Sequence, residues 1–186
     1  MIVAGIDYSL TCPCICIYND FNKKKVFKFE DCMFFFLTDI KKYADVFYNN
    51  IRGELFPKYD SSCQRYDSIS DWAVDLLIGC DMVSIEDYAY NAKGRVFHIA
   101  ENTGILKYKL YQKAIPIEVV QPTVVKKFAT GKGNSDKNNM YKFFLMETAA
   151  DIKGIITPGK DESTNPVSDV VDSYYICKHL YKSMLD

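Results

Sequence analysis

The chain has 186 residues, 48% of them hydrophobic and 25% charged, ordinary globular values that exclude a disordered or fibrous protein. That length fits one domain, residues 1–186, with little room for a second. Lys plus Arg is 23 and Asp plus Glu is 24, a net charge of −1; this excludes a uniformly basic surface but not a local one, since screening acts over about 8 Å.

The apolar start Ile2 to Tyr8 reads as a buried strand that runs straight into an aspartate, with no basic region of a secretory signal before it. Residues 12–18 read as a second strand. There Cys12, Cys14 and Cys16 fall on one face and Ile15 and Ile17 on the other, because side chains alternate along a strand. Lys25 to Glu30 follow as a third strand, after the polar turn Asn19 to Asn22. A helix is expected near 38–50 and a better one near 64–79, around Trp72, Leu76 and Leu77. Residues 81–86 read as a fourth strand and 96–113 as a helix, with Ile99, Thr103, Leu106 and Leu110 along one face. Ile115 to Val120 is a fifth strand. Pro122 suits the first turn of a helix through Phe128, and a Gly-Lys-Gly turn (131–133) separates it from a helix over 135–150. A loop over 153–166 precedes a C-terminal helix that begins near Pro166-Val167-Ser168. Strands in a meander followed by strands alternating with helices imply a mixed α/β sheet.

Seven cysteines, an odd number, fit free thiols in a reducing cytosol. The Cys-x-Cys-x-Cys run lacks the pair spacing of structural zinc and reads as small buried strand residues. Apolar runs are far too short to span a membrane.

Four carboxylates stand out. Asp7 and Glu86 each end an apolar strand, where a buried charge is costly unless it is paired or metal-bound. Asp169 and Asp172 are three apart in a helix and so share a side of it. Each has a plainer reading: a turn cap, an edge residue, or first-turn acids favoured by the helix dipole. Together, hard oxygen donors without histidine suit Mg²⁺, or Mn²⁺ in its place, rather than zinc. Four carboxylates can hold two such ions about 3.5–4 Å apart, an arrangement that cleaves phosphodiesters.

With these residues the chain resembles the RuvC-like Holliday junction resolvases of the RNase H-like nuclease superfamily. Gly5-Ile6-Asp7-Tyr8-Ser9 resembles the family's Gly-Ile-Asp-Pro-Gly strand, with Tyr8-Ser9 in place of Pro-Gly. Ile85-Glu86 followed by aromatics resembles its second motif. Val125-Lys126-Lys127 through Gly131-Lys132-Gly133 to Lys137 resembles its basic motif, with both glycines and both lysines in register. Asp169-Val170-Val171-Asp172 resembles its final Asp-Ala-Ala-Asp. The motifs keep the family order and span nearly the whole chain; residues 31–80 match nothing in it.

The resemblance implies an RNase H-like fold, a five-stranded mixed sheet with three antiparallel strands then two parallel, flanked by helices. It implies metal ligation by Asp7, Glu86, Asp169 and Asp172, with Lys126 and Lys137 near the scissile phosphate and Lys137 counted with the catalytic set. The implied activity is Mg²⁺-dependent, symmetric nicking of four-way DNA junctions by a homodimer, with two ions per site and 5′-phosphate products. A related nuclease of flaps, branched DNA or RNA-containing duplexes is the alternative, and an inactive junction-binding module the non-enzyme one. An actin-like ATPase would need a second lobe that this length does not supply. Richness in Tyr, Phe, Lys and Asn is what AT-rich coding produces, and fits a phage, viral or low-GC source.

Charge is unevenly distributed. Residues 93–142 hold ten Lys or Arg against Glu101, Glu118 and Asp136, a local +7 that leaves −8 for the rest. Such a run is commonly a solvated face. Beside a metal-ligand set it reads as a phosphate-binding wall that includes Lys93, Arg95, Lys127 and Lys132. A helix starting at Ser135 would add backbone N–H groups. Tyr88 and Tyr90, just after Glu86, could stack on opened bases or be incidental in a chain with 15% aromatics.

Overall fold

The computed structural model describes residues 1–20, 26–44, 46–87 and 96–185. Strands β1 (Ile2–Asp7) and β2 (Cys14–Asn19) pair antiparallel, and β2 pairs antiparallel with β3 (Cys32–Thr38). On the other side of β1 lie β6 (Met82–Glu86) and β7 (Ile117–Val120), both parallel to it. These five strands have the expected mixed topology, with the third lying later in the chain than expected. The sheet is wider than expected, however: β5 (Ile51–Leu55) adds parallel to β3, and β4 (Phe47–Tyr48) closes the edge, giving the order β4-β5-β3-β2-β1-β6-β7.

Two helical layers cover the sheet. Helices α2 (Ser62–Leu77) and α3 (Val96–Gln112) pack on one face over Ala4, Ile6, Ile15, Val83 and Ile85. Helices α4 (Pro122–Thr130), α5 (Lys137–Thr148), α6 (Ile152–Ile156) and α7 (Val167–Ser183) pack on the other, over Val3, Cys14, Cys16, Phe34 and Phe36. Helix α1 (Lys41–Ala44) is a single turn beside β5. None of the described helices is long and apolar enough to cross a membrane.

The sequence misplaces the third strand and the first long helix. Phe27 and Phe29 alternate with charged residues, but their rings plug one aromatic cluster from a connecting segment that ends in a 3-10 turn at Phe29–Asp31. The strand is the aromatic run that follows, with Phe34 and Phe36 on the α7 side and Leu37 on the α2 side. Most of 38–50 is not helical. Gly53 of β5 lies so close to Tyr43 that a Cβ would come 2.2 Å from its carbonyl oxygen, and this contact seats the short α1 on an extended strand.

The cysteines share one side as expected, although Cys12 lies just before β2 and not in it. Cys12, Cys14 and Cys16 face the α7 side and Ile15 the α2 side, and all seven cysteines are free. Helix α4 starts at Pro122 and ends at Gly131, which takes a left-handed φ of 79°. Helix α5 begins later than expected. Its N-cap is Asp136, whose carboxylate accepts from the Asn139 amide at 2.8 Å, and Ser135 is buried against Thr130. That terminus is already capped by a carboxylate, which disfavours the expected phosphate there.

Candidate active site

One close approach organises the site. Alternation along β1 turns Val3, Gly5 and Asp7 toward α7. At Gly5 a Cβ would stand 2.2 Å from the Cys177 nitrogen and 2.6 Å from the Ser173 carbonyl oxygen. Helix α7 therefore lies backbone on backbone against β1, as only glycine permits. One helical turn before Ser173 is Asp169, and two residues beyond Gly5 is Asp7, so the contact places these carboxylates together. The β1–β6 register pairs Gly5 with Ser84 and Ile6 with Ile85, which puts Glu86 next along the same side. Asp172, three residues after Asp169, completes the group.

All four line one cleft of about 420 Å³, with Lys126 and Lys137 on its wall. Lys137 is held by the segment that opens α7: its Nζ donates to Ser168 Oγ at 3.0 Å and to Asn165 Oδ1 at 3.3 Å. Beside Glu86, Gln121 donates to Asp87 at 2.6 Å. Asn165 and Asp87 line the cleft, with Gln121 holding Asp87, and none of the three is singled out in the sequence. Asp87 could have been noticed as the acid next to Glu86; Asn165 and Gln121 carry no pattern of their own.

Crowding carboxyls at the ends of two interior strands and one side of α7 disfavours their charged forms. Asp7 is pushed well above the usual carboxylate range, first by burial, then by the negative charges of Asp169, Asp172 and Glu86. Burial followed by Asp172 raises Glu86 to about 8, with Lys126 and Lys137 pulling the other way. Asp172 rises to about 7 through burial and then Asp169. Burial raises Asp169 to about 6, against the pull of Lys137. Asp7, Glu86 and Asp172 still open onto the cleft, so water relieves part of this cost.

The donor set fits divalent cations. It is made of carboxylate oxygens, the ligands Mg²⁺ and Mn²⁺ prefer, and Asp169 Oδ2 is buried without a hydrogen-bond partner. A proton on Asp7 or a cation would supply that partner. Among the described residues no three His, Cys, Asp or Glu side chains already form a metal cage.

Of the other expected contacts, Lys127 and Lys132 are exposed and do not line the cleft. Lys109, part of the basic run, turns to the outer face of α2 and pairs with Asp67 and Asp71 at 2.6 Å. The basic stretch is therefore not one wall, because α3 carries part of it to the opposite layer. Lys93, Arg95, Tyr88 and Tyr90 lie outside the described residues.

The sequence matches no protein-family model and no curated protein. The fold, however, is similar to that of Thermus thermophilus RuvC, with a TM-score of 0.59 and 16% identity over 100% of this chain and 96% of that one. The same protein in complex with Holliday junction substrate gives 0.62 and 17%, with the same coverage. The fowlpox virus resolvase, in complex with its substrate Holliday junction DNA, gives 0.56 and 16% over the full length of both chains. The chain thus has the RNase H-like fold of RuvC and the fowlpox virus resolvase.

Proposed function

We propose that the protein is a Mg²⁺-dependent endonuclease that resolves four-way DNA junctions by paired, symmetric nicks leaving 5′-phosphate ends. The observation that carries this reading is the convergence of Asp7, Glu86, Asp169 and Asp172 beside Lys126 and Lys137 in one open cleft. The fold it stands on is that of proteins whose structures hold Holliday junction DNA.

In this reading the four carboxylates hold two Mg²⁺ ions, with Mn²⁺ able to substitute. Ions held by these residues would supply activation of a water and charge stabilisation at the departing 3′ oxygen. Asp7 and Asp169, fixed by the Gly5 contact, set the spacing of the ligands on the two elements. Lys137, anchored by Asn165 and Ser168, and Lys126 on α4 place positive charge where negative charge develops on the phosphate. The carboxyls must release their protons for ions to bind, so metal affinity rises with pH. A twofold homodimer would match the two equivalent scissile strands of a junction and make one nick per subunit.

The test is a cleavage panel of four-way junction, flap, RNA–DNA hybrid and linear duplex, with and without Mg²⁺. Junctions nicked at symmetric positions only with the metal, and an Asp7→Asn variant that binds junctions without cutting them, are the expected outcome. Unimpaired nicking by Asp7→Asn would overturn the ligand assignment, and preference for another substrate in the panel would overturn the junction assignment.

A further inference from the structure

The loop between β1 and β2 has a second side. Across it from the carboxylates lies another cleft, of about 460 Å³, between this loop, α2 and the first turn of α3. Ser9, Thr11 and Ile99 border both clefts, so the two open side by side. Its walls carry planar groups: the rings of Tyr59, Tyr66 and His98 and the guanidinium of Arg65. The Tyr66 hydroxyl lies 2.9 Å from His98 Nδ1, which fixes both rings.

Arg65 is the unusual member. Its guanidinium sits 4.9 Å from the centre of the Tyr59 ring and 5.2 Å from that of Phe56. One terminal nitrogen donates to the Leu10 carbonyl at 2.6 Å. Its Nε is buried with no partner, and among the described residues no carboxylate forms an ion pair with it. His98 in turn lies 3.4 Å from the Glu101 carboxylate, which is not among the cleft-lining groups.

Stacking planes, a guanidinium without an ion-paired carboxylate among the described residues, and a border shared with the carboxylate cleft suit one kind of ligand. A cleft of this size falls in the small-molecule range of about 300–1,000 Å³, which admits one nucleotide turned out of its stack but no paired duplex. We propose that this cleft is a nucleotide subsite that takes the base of an unpaired nucleotide flanking the scissile phosphate, and so helps select the position of the cut. The inference rests on the nuclease reading of the neighbouring carboxylates.

The experiment uses the full chain and four-way junctions carrying, on either side of the cut, an intact nucleotide, an abasic residue or 2-aminopurine. Binding and nicking are both measured. The wild type should bind and cut the abasic junction about tenfold less well at one of the two positions, within the range of one base stacked on an aromatic ring. It should quench 2-aminopurine at that position. Tyr59 is 39% exposed, so Tyr59→Leu should leave the fold intact, and both it and Arg65→Gln should treat intact and abasic junctions alike. Indifference of the wild type to base removal at both positions, or a full tenfold preference in both variants, would overturn the subsite. If no junction is nicked with Mg²⁺ or Mn²⁺, the nuclease reading fails separately, and the binding titration alone decides: a tenfold preference for the intact base supports the subsite, and equal or absent binding overturns it.

Discussion

Replacing Glu86 by glutamine should stabilise the metal-free protein at alkaline pH and destroy its response to Mg²⁺. In the native cleft Glu86 titrates at about 8 against an ordinary 4.5. The native state therefore keeps a proton that the unfolded chain releases, and stability falls as pH rises between these two values. Below the ordinary value both states are protonated and nothing is lost. Above about 8 the full penalty is present, roughly 5 kcal/mol at 1.4 kcal/mol per tenfold change, and this is an upper bound because the cleft admits water. Glutamine keeps the shape without the ionisation. Urea unfolding with chelator should show the variant more stable by a few kcal/mol at about pH 8.5, with the gap closing to under roughly 1 kcal/mol near pH 4.5. Saturating Mg²⁺ should raise the midpoint of the wild type and leave that of the variant almost unmoved. A variant no more stable than wild type at high pH, or a gap that does not shrink with acid, would refute the argument that carboxylate crowding strains the metal-free fold.

Two further outcomes follow from the same geometry. Gly5→Ala forces a Cβ against the backbone of α7 and should cost about 3 kcal/mol or more, seen as a large drop in the thermal midpoint; a midpoint unchanged within error would show that the helix can shift freely. Lys137 lowers the pKa values of Glu86, Asp169 and Asp172, so Lys137→Met should move the acid limb of the pH–rate profile upward by about one pH unit, whereas the exposed Lys127→Ala should leave that limb in place.

Much of this site is legible in the sequence, and for a physical reason. Acids that end apolar strands, and an i, i+3 pair in a packed helix, conflict with their surroundings, and such conflicts mark function. Elements with strong periodicity, such as α2, α3 and β6, fall close to their expected spans. What the residues alone do not reveal is the pairing that joins them. The register of β1 against β6 and the crossing of α7 over Gly5 are long-range facts, for which only the order of the family motifs stood in. The errors cluster in residues 25–55, where aromatic side chains fill the core from a connecting segment and a strand alike, so alternation cannot tell them apart. Net charge misleads in a similar way: the basic run is one segment of chain but two faces of the molecule, since Lys109 and Lys137 lie in opposite helical layers.

The contact at Gly5 has a consequence for how such a site persists. Where two elements meet through main-chain atoms, their separation is set by the peptide unit and does not depend on which side chains fill the surrounding core. Apolar residues around it can then be exchanged for others of different size, and the sheet and helix can settle elsewhere, while the distance from β1 to the first turn of α7 stays the same. A site built on such a joint is insulated from repacking.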